Sequence, residues 1–100
     1  MIVVNARIQT TAEAVEALRE AMIAMQTASL AEEGCEDYNF AVELAEPGVI
    51  RITERWTGKE ALIAHFQTPH MAEFLAAMQA QPPGETAAHF YEATEIEMPR

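Results

Sequence analysis

The order in which strand-like and helix-like runs alternate constrains this chain most. Residues 2–8 (IVVNARI) are rich in β-branched side chains and unbroken, and they predict a first strand. Period two places Ile2, Val4, Ala6 and Ile8 on one face and Val3, Asn5 and Arg7 on the other. Thr10 and Glu13, three apart, predict a capping box. The helix behind it carries Val15, Leu18, Met22 and Met25 at helical spacing and ends near Glu33, where Gly34 can take the left-handed stop conformation. Tyr38–Leu44 alternate as a second strand, and Pro47-Gly48 marks a hairpin loop of about three to five residues. Residues 49–56 (VIRITERW) predict a third strand with Ile50, Ile52, Glu54 and Trp56 on one face. Thr57 and Glu60 predict a second capping box ahead of Leu62, Ile63 and Phe66. Thr68-Pro69 reads as an N-cap followed by a proline at the first helical position. The helix therefore breaks there and restarts with Met71, Phe74, Leu75 and Met78 on one stripe. Gln81-Pro82-Pro83-Gly84 stops it, and residues 86–97 hold the last strand.

This order, βαββαβ, is that of the ferredoxin-like α+β fold: a four-stranded antiparallel sheet with both helices on one face. One hundred residues make one domain, spanning 1–100. The first strand is apolar on one face and only partly polar on the other, which would leave a large exposed patch on a monomer. Two sheets packed face to face in a symmetric homodimer would cover it.

The formal net charge of −10, with six scattered Lys and Arg residues, repels a phosphate backbone, so no nucleic acid partner is expected. No apolar run of about 18 residues occurs and no basic region precedes the first apolar stretch, so neither a membrane span nor a signal peptide is expected. Cys35 is the only cysteine, which fits a reducing compartment and makes the cytoplasm the expected location. No glycine-rich phosphate loop, CxxC, HExxH or GxSxG is present, which removes the usual support for nucleotide, structural-zinc and serine-hydrolase readings.

Chemistry-bearing residues gather between Glu54 and Met71: Glu54, the single tryptophan Trp56, and two of the three histidines, His65 and His70. Asn5 stands in an apolar strand, where it either bonds a neighbour or orients a ligand. Trp56 closes the third strand, as a core anchor or a pocket wall. Glu54 shares its face and needs a donor, with a histidine or arginine the expected partner. His65 has the chemistry of a general acid or base, with an ordinary pKa near 6.5. His70 reads either so or as a locally bonded helix-start residue. Their spacing of five is poor for one helix face, so no metal site is expected. The acidic residues Glu32, Glu33, Glu36 and Asp37 read as a solvated helix end and loop, and the methionines as core filler.

The segments EEGCEDY (32–38) and ITERWTGKEALIAHFQTPHM (52–71) resemble the antibiotic biosynthesis monooxygenase domain, and within it the small bacterial proteins assigned as quinol monooxygenases. The matching pattern is a glycine, a cysteine and a tyrosine at the start of strand two, then Glu-x-Trp, then two histidines separated by four residues; Asn5 fills the strand-one asparagine. The resemblance implies a dimeric α+β barrel with a pocket between helices and sheet in each subunit. It implies oxidation of a small phenol or quinol by dioxygen with no cofactor: no metal, flavin or haem. By resemblance, Asn5 and Trp56 anchor substrate oxygens, His65 accepts a proton, Glu54 orients a donor, and Tyr38 and His70 line the pocket. Haem degradation is not expected, because His65 stands at the helical tryptophan position of haem-degrading relatives and their haem-ligating histidine falls near Leu75. The alternative is a non-catalytic dimeric module that binds a small apolar molecule or serves as a stress-related scaffold.

Overall fold

In a computed structural model, which describes residues 1–100, the β-branched run becomes β1 (Ile2–Gln9) and the first amphipathic stretch α1 (Ala12–Leu30). The hairpin is β2 (Cys35–Val42) and β3 (Val49–Trp56); two helices, α2 (Lys59–His65) and α3 (Pro69–Ala80), precede β4 (Thr86–Glu92). The strands pair antiparallel in the order β2-β3-β1-β4. This is the expected ferredoxin-like α+β arrangement, with the second helix divided in two.

Strand alternation sorts the faces. Ile2, Val4 and Ile8 of β1 are buried, and their partners across the ladder are Trp56, Glu54 and Ile50 of β3. Beneath the helices the apolar ones among these residues join Val15, Leu18, Met22 and Met25 of α1 and Phe74 and Met78 of α3 in one core. The opposite face differs from expectation. It presents Asn5, Arg7, Arg51, Thr53 and Arg55, and its arginines reach Glu46 (3.7 Å), Glu43 (2.6 Å) and Glu36 (3.6 Å). It is polar, not an apolar patch, because β3 alternates arginine and threonine with its core residues. Its exposed apolar contribution from β4 is Tyr91, opposite Val3, while Phe90 lies on the helix side and Ile96 and Met98 lie beyond the strand.

The element ends depart from the sequence reading for local reasons. The cap of α1 is Thr11, whose hydroxyl accepts from the Ala14 N–H at 3.1 Å; Thr10 instead donates its N–H to the Gly48 carbonyl at 2.8 Å. A side chain at Gly48 would place its Cβ 2.5 Å from the Thr10 oxygen, so this contact needs glycine. The α1 helix ends at Leu30, before Glu33, and Gly34 (φ +84°) turns the chain into β2. The β2 strand starts at Cys35 rather than Tyr38, with a bulge between Cys35 and Asp37, and stops at Val42, leaving Leu44 fully exposed. The connecting loop, 43–48, is accordingly longer than expected. The α2 cap is Gly58, which has no side chain to bond, one residue after Thr57, whose N–H donates to the Gly34 carbonyl at 2.8 Å. Thr68 caps α3 as expected, accepting from the Met71 N–H at 3.3 Å with Pro69 at the first position. The β4 strand ends at Glu92, short of residue 97. No helix is long and apolar enough to cross a membrane.

Candidate functional site

The break at Thr68-Pro69 brings two histidines from different helices to one carboxylate. His65 is the last residue of α2, His70 lies in the first turn of α3, and Glu32 stands in the turn that follows α1. Two ring nitrogens, His65 Nδ1 and His70 Nε2, approach the same oxygen, Glu32 Oε2, at 2.6 and 2.7 Å. An ionised carboxylate only accepts, so both ring nitrogens are N–H donors here. A proton on Nδ1 leaves Nε2 of a neutral His65 as a lone pair. That atom is buried and has no hydrogen-bond partner in the protein. Its surroundings are aromatic: the His65 ring centroid lies 4.7 Å from Trp56, 5.4 Å from Tyr38 and 5.7 Å from Phe66. The three site side chains grade outward, with His65 fully buried, Glu32 13% exposed and His70 22% exposed.

Beside this triad, the Trp56 indole N–H donates to Glu54 Oε1 at 2.9 Å, within the buried face of β3. The donor that Glu54 requires is therefore the indole two residues on, not a histidine or arginine. Burial raises the Glu54 pKa; the indole bond and nearby His65 oppose part of that rise. Burial, with Glu54 next, pushes the Tyr38 phenol far above its ordinary value, and burial with Glu32 pushes the Cys35 thiol up to about 11. Both stay neutral near pH 7, so neither serves as an anionic nucleophile. The Ser29 hydroxyl is buried near Tyr38 without a hydrogen bond of good geometry.

The fold thus gathers Tyr38, Glu54, Trp56, His65 and His70. It does not bring Asn5 to them. Asn5 faces the other side of the sheet, opposite Thr53 and His89, because odd-numbered β1 residues point away from the helices. An amide acting with Trp56 and His65 on one substrate is not what this chain's geometry offers. Glu32, read in the sequence as a solvated helix end, is the residue that was missed. Its signal was the unmet need of two nearby histidines for a carboxylate, but its closeness to them follows only from the turn at Gly34. The spacing argument against a shared ligand set also fails, because the two histidines do not share a helix.

None of the five principal cavities is lined by these residues. The most apolar is a cavity of about 200 Å³ between α1 and β2, walled by Val15, Met22, Ile23, Phe40 and Ile50. Phe40 separates it from the triad's aromatic shell, lying 5.6 Å from Tyr38 and 5.3 Å from Phe74.

A provisionally assigned antibiotic biosynthesis monooxygenase of Deinococcus radiodurans superposes with a TM-score of 0.90 at 25% identity, covering 100% of this chain and 99% of that one. Rv0793 of Mycobacterium tuberculosis gives 0.83 at 26% identity, with 97% and 98% covered. A conserved protein of Bacteroides thetaiotaomicron, described as a possible oxidoreductase, gives 0.82 at 28% identity, with 92% and 96% covered. No curated protein matches the chain. The family model for antibiotic biosynthesis monooxygenase matches residues 1–77, from β1 into α3 and across every residue of the triad, and the chain belongs to that family.

Proposed function

We propose that the protein is a cofactor-independent monooxygenase of small quinols or polyphenols, with His65 as base, working as a cytoplasmic homodimer. One observation carries this: a buried imidazole whose Nδ1–H is held by Glu32 while its Nε2 has no partner. Such an arrangement selects the tautomer with a basic Nε2, and Glu32 stabilises the imidazolium that forms. Glu32 is a positioning residue, since it acts through His65. His70, nearer solvent, donates its Nε2–H to the same oxygen and helps hold the Glu32 carboxylate toward His65.

The chemistry needs little else. Removing a proton from a hydroquinone gives an anion that can pass one electron to dioxygen. The radical pair combines at a ring carbon, and loss of water leaves a hydroxyquinone, with one oxygen atom in the product and one in water. Aromatic walls at Trp56 and Tyr38 would keep the anion dry and raise its reactivity. Entry from the cavity between α1 and β2 requires Phe40 to swing aside.

An oxygen electrode tests the proposal on a panel of hydroquinones. Uptake above autoxidation is expected, and kcat/KM should fall about 100-fold or more in His65→Gln. Glu32→Gln should fall similarly. No stimulation by the parent protein on any quinol would overturn the enzyme reading. The second reading, a module that binds a small apolar molecule without turnover, is favoured by the side chains that fill the space around His65, with the open cavity lying beyond Phe40. It predicts ligand-induced melting shifts in a protein that consumes no oxygen.

A further inference from the structure

We propose that Glu32, His65 and His70 form a binding site for a borderline-soft first-row divalent cation, zinc being the redox-stable representative. Two imidazole nitrogens and a carboxylate oxygen are the donors such ions prefer, whereas magnesium and calcium prefer oxygen alone. The three donor atoms, His65 Nδ1, His70 Nε2 and Glu32 Oε2, all lie within 4.8 Å of one another. They converge from three separate elements, so the fold itself has assembled them.

The adjustment needed involves all three ligand separations, since the two nitrogens, within 4.8 Å of each other, must also settle at the spacing an ion sets. A tetrahedral ion with bonds of about 2.0–2.1 Å sets its ligand atoms about 3.3 Å apart. The carboxylate oxygen now sits 2.6 and 2.7 Å from the two nitrogens, so it must withdraw by roughly 0.6–0.7 Å. Glu32 lies in a turn and both Glu32 and His70 are partly exposed, which leaves these two side chains free to move while His65 stays fixed in the core. No net proton loss is required. His65 shifts its proton from Nδ1 to Nε2 and His70 from Nε2 to Nδ1, freeing the two nitrogens that face the ion. The side of the triad toward His70 is the exposed one, so a remaining coordination position is open to water.

The ion would take the nitrogen through which Glu32 now holds His65, and it would leave His65 Nε2 as a donor instead of a base. The site is therefore in competition with the proton-accepting role proposed above, although binding itself does not depend on that role.

Titration of the metal-free full-length protein with Co²⁺, followed by its visible d–d absorption, tests the site without any turnover. The expected result is saturation at one ion per chain, a band intensity above that of aqueous cobalt, and displacement by an equivalent of Zn²⁺ but not by Mg²⁺. Glu32→Gln and His70→Ala should each weaken binding about tenfold or more, while His89→Ala, a change at an exposed histidine on β4, should leave it unchanged. If one of the two ligand variants does not fold, the other decides. Absence of a protein-bound cobalt spectrum, or binding that survives both ligand variants, would overturn the site, whatever the oxygen assay shows.

Discussion

Glu54 is the side chain most at odds with its surroundings. It lies on the core face of β3, its one donor is the Trp56 indole, and burial lifts its pKa above the ordinary carboxylate range. The folded chain thus binds that proton more tightly than the unfolded chain. Across the window from about pH 4.3 up to the raised folded value, folding takes up a proton, so stability falls as pH rises and stays lower above the window. Below it the penalty is absent. Glu54→Gln keeps an oxygen for the indole N–H and removes the charge. The variant is expected to unfold at higher urea than the parent at pH 7.5, with the difference closing as pH drops to 4. A variant weaker at every pH by a constant amount would show that the charge is not what burial penalises.

At the scale of elements, the site depends on two junctions. The first is Gly34, whose φ of +84° turns the chain from α1 into β2 and whose missing side chain leaves room for α2. A Cβ there would lie 2.6 Å from Ala61 Cβ and 2.8 Å from Thr57 Oγ1. The second is Thr68, which caps α3 and donates its hydroxyl to the His65 carbonyl at 2.8 Å. Losing a cap costs about 1 kcal/mol, whereas forcing a side chain into a left-handed position costs about 1–3 kcal/mol before any clash. Gly34→Ala should therefore lower the urea midpoint more than Thr68→Ala does, and equal or reversed losses would contradict this account of the junction. These junctions also mark how far the sequence could be read. Both faces of β1, the bounds of β3 and the break before Pro69 follow from local pattern and were legible. Thr10 and Thr57 looked like caps, but the caps fall one residue on, at Thr11 and Gly58, while each threonine N–H bonds a distant carbonyl, Gly48 or Gly34, that a window of local residues cannot show. The same limit hid Glu32, which meets His65 and His70 from more than thirty positions away; Asn5 entered the site by resemblance, although strand parity already sent it to the other face.

For the whole molecule, the surface area exceeds what a compact chain of this mass exposes. A compact monomer of 11.1 kDa exposes about 5,700 Å², yet this chain exposes 6677 Å². The excess of about 1,000 Å² is comparable to the ~800 Å² per partner of a standard interface. Part of the exposed apolar surface lies along one edge. The β4 strand pairs with β1 on one side only and is exposed along its whole length, with Phe90 and Tyr91 about half exposed and Ile96 and Met98 more so beyond it. A long edge strand with apolar side chains on both faces invites pairing unless it is covered. The charged outer face of the sheet does not supply the apolar contact that the sequence suggested, so β4 becomes the element on which a homodimer would turn. Sedimentation equilibrium should give twice the mass of the chain at micromolar concentration. Phe90→Asp should shift that equilibrium toward monomer, while Ile63→Asp, equally exposed but on α2, should leave it in place. A monomeric parent, or a dimer indifferent to Phe90→Asp, would place the excess surface outside any self-association through β4.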